Sequence, residues 1–157
     1  MNATIGGRVQ VPWHLWAVGV LSLLWNVCGG YDYLMSITLN PNYMAKFPPE
    51  MADIIRSFPA WATSAWALGV WGSIAGSVLL LLRSRQATTA FLVSAVGALV
   101  TFVYDFTLKL PPALDTSTNK VIPLVILILI VAQWYYAKRM TDAGVLRWFA
   151  APRRDQA

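Results

Sequence analysis

Apolar and polar positions along this chain separate into blocks. Four stretches carry no charged side chain: Val9–Tyr31, Ser57–Leu82, Gln86–Tyr104 and Val121–Ala137, of 23, 26, 19 and 17 residues. Almost every charge falls between them. A hydrocarbon core about 30 Å thick takes about 20 apolar residues of helix to cross. That layer holds no water to satisfy backbone groups, so each crossing must be a helix; runs this continuous exclude the closed barrel that is the other solution. The pattern predicts an all-α bundle of four transmembrane helices over about residues 11–35, 59–82, 86–108 and 121–138.

The intervals between blocks have patterns of their own. In the longest, Asn40-Pro41-Asn42 reads as a turn. After it, Met51, Ile54, Ile55 and Phe58 recur at helical spacing, with Pro49 and Glu50 suited to a first turn and Asp53 and Arg56 on the opposite face. This predicts a short amphipathic helix over about residues 49–57, lying on the outer surface or capping the bundle. The turn Arg83-Ser84-Arg85-Gln86 is tight, so the second and third spans should be antiparallel neighbours. Lys109–Lys120, with Pro111-Pro112, reads as an extended polar loop. The fourth span is the most uniformly apolar and should sit at the periphery. Beyond it, residues 139–157 form a basic tail in which Val145, Leu146, Trp148 and Phe149 stand beside Arg147, Arg153 and Arg154, an interfacial anchor.

Composition narrows the class. Of 157 residues, 57% are hydrophobic and only 12% charged, against about 25% charged in soluble domains. Four crossings leave room for one membrane domain and no separate soluble one. The net charge of +5 would suggest nucleic acid if it were spread over a surface; clustered at helix ends, it points instead to topology and anionic head groups, and no nucleic-acid partner is expected. With both termini cytoplasmic, the inner segments hold Arg8, Arg83, Arg85, Lys138, Arg139, Arg147, Arg153 and Arg154, and the outer ones only Lys46, Arg56, Lys109 and Lys120. The positive-inside rule favours that orientation, as a multi-pass protein of a bacterial inner membrane. The first run is long for a signal peptide and no small-x-small cleavage site follows it, so it reads as a retained helix. The lone cysteine, Cys28, excludes an internal disulfide and reads as a small packing residue.

Helices in lipid pack through small residues. The second span offers Ala65, Gly69, Gly72, Ser73, Gly76 and Ser77, and the third Ala90, Ser94, Gly97, Ala98 and Thr101. The Gly72/Gly76 face suits either packing inside one bundle or a homodimer seam. Polar groups within spans are costly and are functional candidates by default. Asn26 lies in the first span; Asp32 closes it and Asp105 closes the third. Their contexts match, Tyr31-Asp32-Tyr33 and Tyr104-Asp105-Phe106, which hints at two hairpins related by an axis along the membrane normal. Under that symmetry Asn26, Asp32 and Asp105, ringed by Tyr31, Tyr33 and Tyr104, would form a polar site opening outward. The plainer reading makes them interfacial anchors, with Asp105 paired to Lys109. His14, the only histidine, sits in the inner aromatic belt and excludes a bis-histidine haem within one protomer. No cofactor or metal is expected.

The segments Trp13-His14-Leu15-Trp16, Leu23-Leu24-Trp25-Asn26, Gly29, Asp32-Tyr33, Phe58-Pro59-Ala60-Trp61 and Ala67-Leu68-Gly69-Val70-Trp71-Gly72 together resemble a family of short bacterial inner-membrane proteins. The family is mostly uncharacterised, and some members are loosely labelled sugar transporters. The resemblance covers roughly Trp13 to Asp105 and implies a four-helix fold and a transport-related role; it transfers no catalytic residue. The leading expectation is a transport-related or small-solute-binding membrane protein. The alternative is an accessory subunit of a larger membrane complex. With no nucleophile–base pair or metal cluster in view, an enzyme ranks last.

Overall fold

A computed structural model of the chain describes residues 10–147. Arg8, Trp148, Phe149, Arg153 and Arg154, which the topology and tail readings used, lie outside the described residues. The described part is all-α, with α1 (Trp13–Ile37), α2 (Pro41–Met44), α3 (Glu50–Ser57), α4 (Ala60–Leu81), α5 (Gln86–Thr107) and α6 (Ser117–Asp142). Among the described residues there is no strand, only an isolated bridge between Ser84 and Arg147.

By length and composition α4, α5 and α6 are able to cross a membrane. The 25 residues of α1 are long enough, but His14, Asn26, Asp32 and its glycines, serines and tyrosines dilute its hydropathy. The amphipathic helix forms where expected, as α3, with Glu50 and Asp53 in its first turn and Arg56 in its last, the arrangement that complements a helix dipole. The Asn40-Pro41 turn extends into α2, because Asn40 Oδ1 accepts from the Tyr43 N–H and caps it.

The fourth apolar block was too narrow a guide to its helix. α6 begins at Ser117, four residues before the block's first residue, Val121, because Thr116 caps it by accepting from the Asn119 N–H. Residues 139–142 continue that helix, so the tail begins later than expected.

One apolar cluster fixes the direction of every long helix. Leu15 at the start of α1, Leu80 at the end of α4, Ala87 and Phe91 at the start of α5 and Ala137 near the end of α6 are buried together with Val145 and Leu146. The long helices therefore run alternately up and down. α4 packs most extensively on α5, the pairing expected from the short turn between them, while α1 lies on α4 and α6 on α5. α6 buries only Ile130, Gln133 and Ala137, consistent with a peripheral helix.

The packing is inverted relative to a water-soluble bundle. The buried stripe of α1 is Leu15, Gly19, Ser22, Asn26, Gly30, Tyr33 and Ser36, and that of α4 is Ala62, Ala65, Gly69, Ser73, Gly76, Ser77 and Leu80. Outward faces instead carry Leu21, Leu24, Val27, Leu68, Val96, Leu99, Val103, Ile128 and Val131. Small and polar inside, large and apolar outside is what lipid contact demands. A Cβ added at Gly97 would come within 2.6 Å of the Ala65 carbonyl and 2.7 Å of the Gly69 nitrogen, so α4 and α5 touch backbone to backbone.

The Gly72/Gly76 face is used within the chain. A Cβ at Gly72 would meet Ser94 of α5 at 3.0 Å, and one at Gly76 would meet the Phe91 ring at 2.7 Å. Within the chain, that face packs against α5.

Candidate functional site

The expected outward cluster divides into separate places. Asn26 belongs to the middle of α1, 5% exposed, and faces the bundle interior. Its Nδ2 lies 3.1 Å from the Ser73 carbonyl and 2.9 Å from Ser77 Oγ, both on α4, and 3.0 Å from Gln133 Oε1 on α6. Ser77 Oγ donates in turn to the Ser73 carbonyl at 2.9 Å. An amide nitrogen has two hydrogens, so three acceptors share two donors. The arrangement ties α1, α4 and α6 at one buried point. Gln133 is the only amide in its apolar block. That isolation was the signal for it, and the neighbouring aromatic belt Trp134-Tyr135-Tyr136 masked it. Nearer the α6 end of the bundle, His14 Nδ1 pairs with the Tyr136 hydroxyl, a second link between α1 and α6.

Asp32 and Asp105 occupy unlike surroundings. Asp32 is exposed, and the Tyr43 hydroxyl of α2 donates to its Oδ1. Burial, then the hydrogen bond to Asp32 and its negative charge, push the Tyr43 hydroxyl up to about 12. Tyr31 stacks edge-on with Tyr43 at 5.9 Å, and Lys46 sits 5.6 Å over the Tyr43 ring. Asp105 is half-buried at the end of α5, and among the described residues its carboxylate has no hydrogen bond or ion pair; the bond to Lys109 does not form. The two matching tripeptides also differ in burial: Tyr33 is 8% exposed, whereas its counterpart Phe106 is 67% exposed.

Aromatic rings build the wall between these places. Tyr33 stands edge-on to Trp66 at 4.9 Å and to Trp71 at 6.5 Å. Phe58 joins Trp66 to Tyr104, which also meets Trp61 at 5.1 Å. The five-residue steps between the tryptophans spread them around α4, and this spread lets Trp66 and Trp71 face α1 while Trp61 faces α5.

The same end of the bundle carries a cleft of about 330 Å³ between α3 and the segment leaving α5, lined by Glu50, Asp53, Ile54, Ser57, Leu108, Lys109 and Pro111. Asp53 is paired with Arg56 at 2.9 Å on the exposed side of α3. Glu50 Oε2 is out of water and has no hydrogen-bond partner. A carboxylate oxygen so placed is costly unless a cation or donor meets it. Sequence reasoning assigns Glu50 to a helix start and Asp53 to the face opposite the apolar one, and the placement of Lys109 on the same cleft is the missing information. Among the described residues no group of histidine, cysteine, aspartate and glutamate is placed to hold a metal.

Fold and site together define an all-α membrane protein with three helices able to span the bilayer and a small acidic cleft at one end of the bundle. Comparison of the chain with family models, with curated proteins and with solved structures finds no match.

Proposed function

We propose that this chain crosses a bacterial inner membrane four times, with α1 as the further span, and binds a small polar solute bearing a positive charge at its outer mouth. The alternating helix directions and the length of α1 support four crossings. The excess of Lys and Arg at the α4–α5 turn supports placing that end in the cytoplasm and the α3 cleft outside. The observation that carries solute binding is the unpartnered, water-excluded Glu50 Oε2 in the wall of a cleft of about 330 Å³, within the usual size range for small-molecule sites. Lys109, on the same cleft, would donate to the polar or anionic end of the same solute, which favours a zwitterion. The resemblance of Trp13–Asp105 to short bacterial membrane proteins, some labelled sugar transporters, supports a transport-related role.

The test is binding to the protein reconstituted in lipid nanodiscs, followed by tryptophan fluorescence against a panel of small ammonium, zwitterionic and polyol solutes. An ammonium-bearing solute should bind to the wild type, and Glu50→Gln should weaken it by about tenfold or more, the loss of a charge-assisted contact. Asp105→Asn should have a smaller effect, and Asp32→Asn little, because Tyr43 already engages Asp32. Equal binding by wild type and Glu50→Gln would refute the site.

A second reading is favoured by α6, the span least covered by its own chain, with Gln133 tied inward and an apolar face outward. In an accessory subunit, that face would meet a larger complex; co-purification in mild detergent tests it.

A further inference from the structure

We propose that Arg83, Arg85 and Arg147 form a clasp for the phosphate of an anionic phospholipid at the cytoplasmic end of the bundle. The proposal rests on the membrane placement above and is independent of the outer cleft. After α6 the chain turns back through Gly144, and Val145 and Leu146 bury themselves in the apolar cluster at that end. Arg147 then lies along the α4–α5 turn: its N–H donates to the Arg83 carbonyl at 2.8 Å and its carbonyl accepts from the Arg85 N–H at 3.0 Å. Three arginines are thereby fixed at one backbone junction, although like charges repel. The carboxylate of Asp142 is taken by Lys138 at 3.1 Å, and among the described residues neither Arg83 nor Arg147 has an ion pair.

Arg83 adds two observations. Its Nε is buried without a hydrogen-bond partner, while its Nη2 donates to the Val145 carbonyl at 3.5 Å. Its φ is 57°, left-handed, at the position where a helix end favours glycine. The Ser84 N–H bonds the Leu79 carbonyl and the Arg83 N–H bonds the Leu80 carbonyl, the hydrogen bonds of a glycine-type helix stop. Gly144 holds the equivalent place after α6 with φ 70°. An arginine kept where glycine would be unstrained points to a use for its side chain beyond the one long bond to Val145. Phosphate fits that use, because guanidinium groups grip it through paired N–H bonds. Trp13, 79% exposed, and Tyr135, 56% exposed, lie toward the same end and mark head-group depth, which selects a lipid phosphate over a soluble one.

The experiment is native mass spectrometry of the full chain released from nanodiscs of equal phosphatidylglycerol and phosphatidylcholine. The wild type should retain phosphatidylglycerol preferentially. Arg83→Gly combined with Arg147→Gln should lower that retention by about 30-fold, the effect of removing two charges from an anionic surface. Lys120→Gln, at the opposite end, should leave it unchanged. Arg83→Gly trades the long Nη2–Val145 bond for relief of backbone strain, so the single variant should melt close to wild type while losing lipid selectivity, which a purely structural arginine would not do. Equal retention of the two lipids by the wild type, undiminished phosphatidylglycerol retention in the double variant, or full displacement of the lipid by inorganic phosphate would overturn the proposal. If the double variant fails to fold, the wild-type selectivity and its weakening by salt decide the matter.

Discussion

At the scale of single residues, Asn26 and Tyr43 carry the clearest expectations. Asn26→Ala would leave Ser77 Oγ and Gln133 Oε1 without their shared donor in the bundle interior. The expected loss is about 1–2 kcal/mol of stability, the range for interhelical hydrogen bonds in membranes. Denaturation in mixed micelles would measure it. A double-mutant cycle of Asn26→Ala with Gln133→Ala should show a coupling of about 0.6 kcal/mol; strict additivity would mean that the two amides do not act together. Tyr43 carries the pH dependence. Its hydroxyl is raised from 10.0 to about 12, so the folded state holds that proton more tightly than the unfolded chain does. The sign follows: the Tyr43–Asp32 bond contributes fully below about pH 10 and is lost as pH rises through about 12. Tyr43→Phe should abolish that alkaline loss, as read from melting temperature against pH. Of the site residues, Asn26 was visible because an amide inside an apolar block has to find partners. Which partners was not visible, since Ser73, Ser77 and Gln133 lie 47, 51 and 107 positions away and meet it only through helix packing.

Elements were legible wherever a local period or a charge boundary defined them. The α3 helix follows from four apolar residues at helical spacing, and the α4–α5 hairpin from a short charged turn. Their small faces are also legible as a composition, but not as contacts. Gly29 and Gly30 look alike in sequence; Gly30 packs on Ile74, whereas a Cβ at Gly29 would meet nothing within 4 Å. This contrast makes a matched experiment. Gly97→Ala would drive a methyl into the Ala65 carbonyl and Gly69 nitrogen, main-chain atoms with no rotamer to yield, and should cost about 1–3 kcal/mol. Gly29→Ala should be neutral or stabilise by up to about 1 kcal/mol through helix propensity. Thermal unfolding of the two variants checks both. A similar loss at each position would mean that α4 and α5 do not approach as closely as described. The α6 start escaped the sequence reading for a related reason: a Thr cap and three polar residues look like loop until the helix they open is known.

The whole molecule turns on whether α1 crosses the membrane together with the three more apolar helices. Charge gives the argument a direction. Among the described residues, the end bearing the α4–α5 turn holds Arg83, Arg85, Lys138, Arg139 and Arg147 against Asp142 alone, while the other end holds Lys46, Arg56, Lys109 and Lys120 against Asp32, Glu50, Asp53, Asp105 and Asp115. Lys and Arg near span ends set orientation, which supports the proposal that the first end lies inside. If α1 spans, Gln10 must share that side with Gln86, and Asn42 must share the other with Ala113. If α1 instead lies along the outer surface, Gln10 moves to the side of Asn42. Cys28 is the only cysteine, so a Cys28→Ser background allows one new thiol at a time. In intact spheroplasts, a membrane-impermeant maleimide should label Asn42→Cys and Ala113→Cys and leave Gln10→Cys and Gln86→Cys untouched until the membrane is opened. Labelling of Gln10→Cys from outside would reduce the protein to three crossings. Labelling of Gln86→Cys from outside would invert it, placing the acidic cleft in the cytoplasm and the arginine clasp on the outer leaflet.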